Sequence, residues 1–346
     1  MAKVSGLQKK TTPEIMLRPF TISLRTIIFS AVLLMNVQCM QKPETSILSV
    51  QNTLILSDIP SGSGLAVVED SIYLVGDDSP FLFQLDRQHV VRGRHLLLQQ
   101  WADSVRIAKS SKPDFESITL ADWEKEPSLL VFGSGSKSPE RDSLLVLPLK
   151  AFHNPKRYSL TALYDAICQK EGIGRESFNI EGAVVAGNDL WLFNRGTNSI
   201  IVAELASLIQ AVKRPAVVNS LKMEVHPHQL PQIAGKQARF SGACHLPGTD
   251  LIFFTASVED TENWIDDGEI LGSLIGVLDM NAPAQANSAH WWLTDKNGNY
   301  LPEKLESIDV LESREEGLIL LAVSDNDLGN SVLFELRLDT SLHTKP

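Results

Sequence analysis

Residues 179–196 read Asn-Ile-Glu-Gly-Ala-Val-Val-Ala-Gly-Asn-Asp-Leu-Trp-Leu-Phe-Asn-Arg-Gly, two short apolar strands around a polar turn. Glu181 is the awkward residue, a carboxylate placed where the first strand enters the core. The arrangement recurs. Ser63-Gly64, Glu116-Ser117, Ser241-Gly242 and Glu306-Ser307 each precede an alternating apolar stretch. The five positions stand 53, 65, 60 and 65 residues apart. Self-similarity at such a period marks a repeat architecture.

Every unit continues alike. A second apolar run follows the turn, as IYLV, LLVF, LWLF, LIFF and LILL. A third strand comes next, as FLFQLD, LLVLPL, IIVAEL, IGVLD and VLFELRL, and a variable stretch carries strand-like text such as HLLLQQW or HWWLT. Four strands in each of five units predict an all-β five-bladed β-propeller with four-stranded antiparallel blades, spanning 47–346. A six-bladed ring is the alternative, its extra blade drawn from the terminal region and a long connector. Residues 48–59 (LSVQNTLILSDI) are expected to pair with the last unit and so fasten the chain ends together. Short helices are expected between blades at 162–169 and 203–212.

The first 38 residues differ from the rest, with Lys3, Lys9, Lys10, Arg18 and Arg25 against Glu14 alone, then the apolar run IIFSAVLLMNV. That run is too short to span a bilayer and fits a signal-peptide core. Cys39 follows directly, in a setting that resembles a bacterial lipobox, and 39–46 read as a lipidated tether. The expectation is export to the periplasm or outer membrane, with contact to the membrane only through the lipid. Residues 39–346 carry 26 basic and 41 acidic side chains, a net charge of −15, which argues against a nucleic-acid partner. The chain is expected to act as a monomer on an unidentified small molecule or protein. Cys168 and Cys244 are left as a pair whose bridging depends on geometry.

In a propeller the start of each innermost strand faces the axis, so Ser63, Glu116, Glu181, Ser241 and Glu306 are expected to converge. Three like charges within about 5 Å repel by a few kcal/mol per pair even at an effective dielectric of 20. Either their pKa values rise or a cation sits among them. The donors are all oxygens, which favours a hard ion, and Ca2+ suits flexible geometry better than Mg2+.

The order Ser, Glu, Glu, Ser, Glu on successive blades, with LAVVEDSIYLVGDD in the first, resembles the calcium-activated nucleotidases (apyrases), five-bladed propellers with a central Ca2+. It is also similar to uncharacterised exported phytase-like propellers of bacteria. The resemblance implies Ser63, Glu116, Glu181, Ser241 and Glu306 as ligands of one structural Ca2+, and a phosphate-ester or nucleotide hydrolase. Where that family has Arg-Thr-Gly after its paired Asp, this chain has Ser79-Pro80.

Polar residues after the second strands mark one mouth of the channel. Asp77, Asp78, Arg195, Asp325 and Asp327 are the candidate catalytic groups, and Ser134, Gly135, Ser136 and Asn194 the candidate substrate-binding ones. The GSGS segment at 133–136 offers backbone N–H groups to an anion. The acidic segment 259–267 reads as a solvated insertion, and His226-Pro227-His228 as loop. Cys244 and His245, adjacent on a strand, face opposite ways and do not pair as nucleophile and base. A non-catalytic scaffold propeller and a sugar-lactonase-like hydrolase are the alternative functions.

Overall fold

The second strand of each unit is an unbroken apolar run because both faces of every blade are covered. In the computed structural model, which describes residues 47–152, 154–261, 268–284, 289–325 and 329–339, Leu190 and Leu192 pack toward one neighbouring blade. Trp191 and Phe193, pointing the other way, pack toward the next. The leader, the tether with Cys39, and the residues Asn326 and Asp327 lie outside the described residues. Ser46–Pro346 form one compact unit.

Five four-stranded antiparallel sheets make up the propeller. After an opening strand β1 (Ile47–Leu56), blade 1 comprises β2 (Gly62–Val68), β3 (Ser71–Gly76), β4 (Phe81–Asp86) and β5 (Val91–Leu96). Blade 2 comprises β6 (Phe115–Trp123), β7 (Glu126–Gly133), β8 (Ser143–Pro148) and β9 (Lys156–Ser159). Blade 3 follows helix α1 (Thr161–Glu171) and comprises β10 (Ile180–Ala186), β11 (Asp189–Asn194), β12 (Ser199–Glu204) and β13 (Met223–Pro227). A small hairpin, β14 (Gln232–Ile233) and β15 (Lys236–Gln237), leads to blade 4: β16 (Arg239–His245), β17 (Leu251–Asp260), β18 (Glu269–Asp279) and β19 (His290–Trp292). Blade 5 takes β20 (Leu305–Arg314), β21 (Gly317–Asp325) and β22 (Ser331–Asp339) from the C-terminal end, and β1 as its outermost strand. The ring therefore closes with five blades, and the expected pairing of the chain ends is present: β1 runs antiparallel to β22 from Ile47↔Asp339 to Leu56↔Ser331.

The core is divided among the blade interfaces. Five apolar clusters lie one to each interface, and the inner strands β2, β6, β10, β16 and β20 contact one another in that order back to β2. Cys168 and Cys244 are buried in different clusters and are not bridged. Three local expectations are corrected. Helix α2 (Leu205–Lys213) lies inside blade 3, between β12 and β13, rather than between blades. His226 belongs to strand β13, not a loop, because its backbone pairs with Ile200. HLLLQQW contributes only its first residues to β5 and then turns into a short 3-10 segment, Gln99–Trp101.

Candidate functional site

All five inner strands are bulged at one repeat position. The pairing register skips Ser63 between Gly62 and Gly64, Glu116 between Phe115 and Ser117, and Glu181 between Ile180 and Gly182. It likewise skips Ser241 between Phe240 and Gly242, and Glu306 between Leu305 and Ser307. A bulge sets two residues against one and re-aims the extra side chain. That is why a strand can start on a carboxylate here: the residue has left the in-out alternation. The small residue after each bulge has its own cause. A Cβ on Gly242 would stand 2.7 Å from Ser307 Cα and 2.8 Å from Glu306 O, so the inner strands of blades 4 and 5 touch there. Ser307 in turn accepts the Leu65 N–H of blade 1 at 3.0 Å.

Ser63, Glu116, Glu181 and Glu306 line one cavity of roughly 290 Å³ at the channel mouth, together with Asp77, Asp78 and Asp325. Ser241, fully buried, is not part of its lining, and its Oγ lies 3.2 Å from Thr255 Oγ1. Ser63 Oγ donates to the carbonyl of Phe115, tying blade 1 to the residue before Glu116.

Around the mouth, protein cations stand between the carboxylates. Lys112 bridges Asp77 and Asp114, at 2.7 Å from the latter, and Arg141 lies 2.7 Å from the other Asp114 oxygen. Arg195 reaches Glu259 at 2.5 Å and Glu181 at 3.9 Å, and Asn179 donates to Glu181 at 2.6 Å. Lys304 lies 3.0 Å from Glu306 and 3.4 Å from Glu259. Glu116 is the gap in this alternation. Its oxygens approach within 4.8 Å of those of Asp77 and Asp114, and no hydrogen bond or ion pair reaches it among the described residues.

The acidities follow. Burial, then the negative charges of Glu181, Asp114 and Asp77, hold the Glu116 carboxyl well above the usual range. Burial also raises Glu181, and lifts Glu306 to about 7 although Lys304 pulls the other way. Asp77 is lifted by burial to about 6 against the pull of Lys112. Asp114 moves down instead: burial acts to raise it, but Lys112 and Arg141 together outweigh that.

The candidates read from sequence divide accordingly. Asp77, Asp78 and Asp325 are at the mouth, and Arg195 and Ser136 line the adjoining part of it. Ser134 and Asn194 are wholly buried and are not among the lining residues. Ser134 bonds Asp114, while Asn194 accepts the Asn179 N–H and donates to Glu171 and Thr197. Gly135, at φ +73°, is wedged against Tyr164 and Phe178. The N–H groups of Ser134, Gly135 and Ser136 are already committed to Asp114 O, Arg141 O and Ser134 Oγ, so the GSGS segment presents no nest to an anion. Glu259, expected in a solvated insertion, is a strand residue turned to the site.

Sequence reasoning missed Lys112, Asp114, Glu259 and Lys304. A signal existed for two of them. The position two residues before each bulge is polar in every blade: Ser61, Asp114, Asn179, Arg239 and Lys304.

A family model described as a family of unknown function (DUF6929) matches residues 58–338. No curated protein matches the chain. Among solved structures, similar folds include the glutaminyl cyclase of Myxococcus xanthus, 13% identical with a TM-score of 0.42, covering 85% of this chain and 97% of that one. Another is the PQQ-bound aldose sugar dehydrogenase of Streptomyces coelicolor, 11% identical with a TM-score of 0.44, covering 86% of this chain and 99% of that one.

Proposed function

We propose, for a chain that belongs to the DUF6929 family of unknown function, a role read from the channel mouth: a hydrolase of small phosphate esters or nucleotides that depends on one hard divalent cation, Ca2+. The observation that carries this reading is the set of five bulges at one repeat position, which brings Ser63, Glu116, Glu181 and Glu306 to one cavity. The residues present suit such an ion on the blade 1–2 side. The donors are oxygens, and Glu116 lacks a protein partner among the described residues. Glu116 would hold the ion with help from Ser63 and Asp114, leaving Asp77 outside the ligand set. When bound, the cation would neutralise the crowded acids and polarise a phosphoryl oxygen.

The chain's own groups supply the rest. Asp77 and Asp114 share Lys112, yet burial lifts one carboxyl to about 6 while two cations hold the other down. Neighbouring acids pushed apart in this way can divide proton transfer and charge stabilisation at neutral pH. Asp77 is the candidate acid–base group. Lys109 lines the same cavity and would draw an anionic substrate toward it. The leader and Cys39 motivate an envelope location with a lipid tether, which mass spectrometry of the mature N-terminus would test.

A second reading, a non-catalytic binding propeller, is favoured by one observation. Asp78 is held by Arg106 at 2.7 Å, and Arg195 is spent on Glu259 and Glu181. One experiment separates the two. Melting with Ca2+ or chelator is followed by turnover of phosphomonoester, phosphodiester and nucleotide substrates, with Asp77→Asn as the control. Ca2+-dependent melting and turnover lost in Asp77→Asn support the hydrolase. Ca2+-dependent melting without turnover leaves the binding propeller, and identical melting with no turnover sinks the hydrolase.

A further inference from the structure

The charge alternation at the mouth is uneven around the ring. On the side of blades 3 to 5, Glu181, Glu259 and Glu306 share two cations of the chain itself, Arg195 and Lys304. Lys304 stands two residues before its bulge, where Ser61, Asp114 and Asn179 occupy the same place in blades 1 to 3. The fifth residue at that phase, Arg239, turns away to the carbonyls of Arg195 and Gly196. Lys304 is thus the ammonium group that this repeat position sends into the cavity. Its Nζ is 3.0 Å from Glu306 and 3.4 Å from Glu259, so two carboxylates from different blades converge on one point.

We infer that Lys304 occupies a second cation position at the channel mouth and thereby sets how many divalent ions the protein holds. The inference deepens the proposed cation-binding reading and yet is separable from it. A hard divalent ion needs carboxylate oxygens that converge on one point, and that condition is met where Lys304 Nζ lies. A side-chain ammonium there contributes one positive charge at no cost in free ion and needs no calcium in the surroundings. The blades on that side are then held together by the chain alone.

The test titrates Ca2+, and separately Mg2+, into the full chain and into K304M by calorimetry, with melting measured in chelator and in Ca2+. K304M is expected to take up one more Ca2+ than the parent, or to bind Ca2+ at least about tenfold more tightly, because the ammonium charge beside Glu306 and Glu259 has gone. In chelator K304M melts below the parent, and Ca2+ restores it. The double variant K304M/E306Q, which loses both members of the ion pair, loses the extra binding and recovers stability in chelator. If K304M does not fold without ion, purification in millimolar Ca2+ followed by chelation makes the same comparison, and failure of Ca2+ to rescue it overturns the inference. Unchanged stoichiometry and affinity in K304M also overturn it. A parent that binds no ion beside a K304M that binds one supports the role of Lys304 and refutes the ion at Glu116. A parent that binds one ion beside an unchanged K304M does the reverse.

Discussion

Glu116 and Glu181 occupy the same place in successive repeats, and burial raises both carboxyls, yet their partners differ. Glu181 has Asn179 and Arg195, whereas Glu116 faces Asp77 and Asp114 with no partner among the described residues. Glu116→Gln is therefore expected to raise stability in chelator by about 1 kcal/mol, some 2–4 °C in melting temperature, by removing a charge that burial disfavours. The same variant should lose Ca2+ binding. Glu259→Gln acts the other way, because it strips Arg195 and Lys304 of a shared buried partner, and about 3 kcal/mol of stability should go with it. Urea unfolding of both variants with chelator present checks the pair of signs. At this scale the repeat phase made Ser63, Glu116, Glu181, Ser241 and Glu306 legible in sequence. The pairing of Lys112, Lys304 and Glu259 was not legible, because it depends on which side chains from different blades reach the same few ångströms.

Within the elements, the small residue after each bulge and the contacts between inner strands decide how closely the blades approach. Gly242→Ala places a Cβ against backbone atoms of Ser307 and Glu306, which cannot rotate away. A loss of about 2–3 kcal/mol is expected, from overpacking, measurable by thermal or urea melting. Asp309 supplies a different link. It accepts the Val67 N–H of blade 1 at 2.6 Å and the Val310 N–H at 2.7 Å, and burial lifts its carboxyl to about 7 despite those bonds. The folded protein thus holds that proton more tightly than the unfolded chain, whose Asp titrates near 3.8. Its contribution to stability is full below about pH 4 and is lost as pH rises through about 7. Melting temperature should fall across that window, and the slope should flatten in Asp309→Asn. A slope unchanged by the substitution would assign the effect elsewhere. The apolar runs announced the strands, but the bulges were not announced, since a skipped residue shows only once two strands are paired.

For the whole ring, closure by β1 is the decisive contact. Without Ile47–Leu56 the edge of β22 is left unpaired over the full span from Ser331 to Asp339. A chain beginning after Leu56 should melt at lower temperature, lose cooperativity and associate through that bare edge, as size-exclusion and melting curves would show. The sequence by itself determined the repeat, a ring of five blades in preference to six, the closing strand and the five equivalent positions at the starts of the inner strands, because hydrophobic periodicity and spacing are local and survive in one dimension. Only the tertiary structure decided what those positions meet. The Ser63 hydroxyl binds a carbonyl of the next blade, Ser241 packs away from the cavity, and two of the three ring carboxylates have a protein cation nearby. The physical reason is that a carboxylate's acidity, partners and need for an ion are set over a few ångströms of space, among residues that the chain separates by a blade or more.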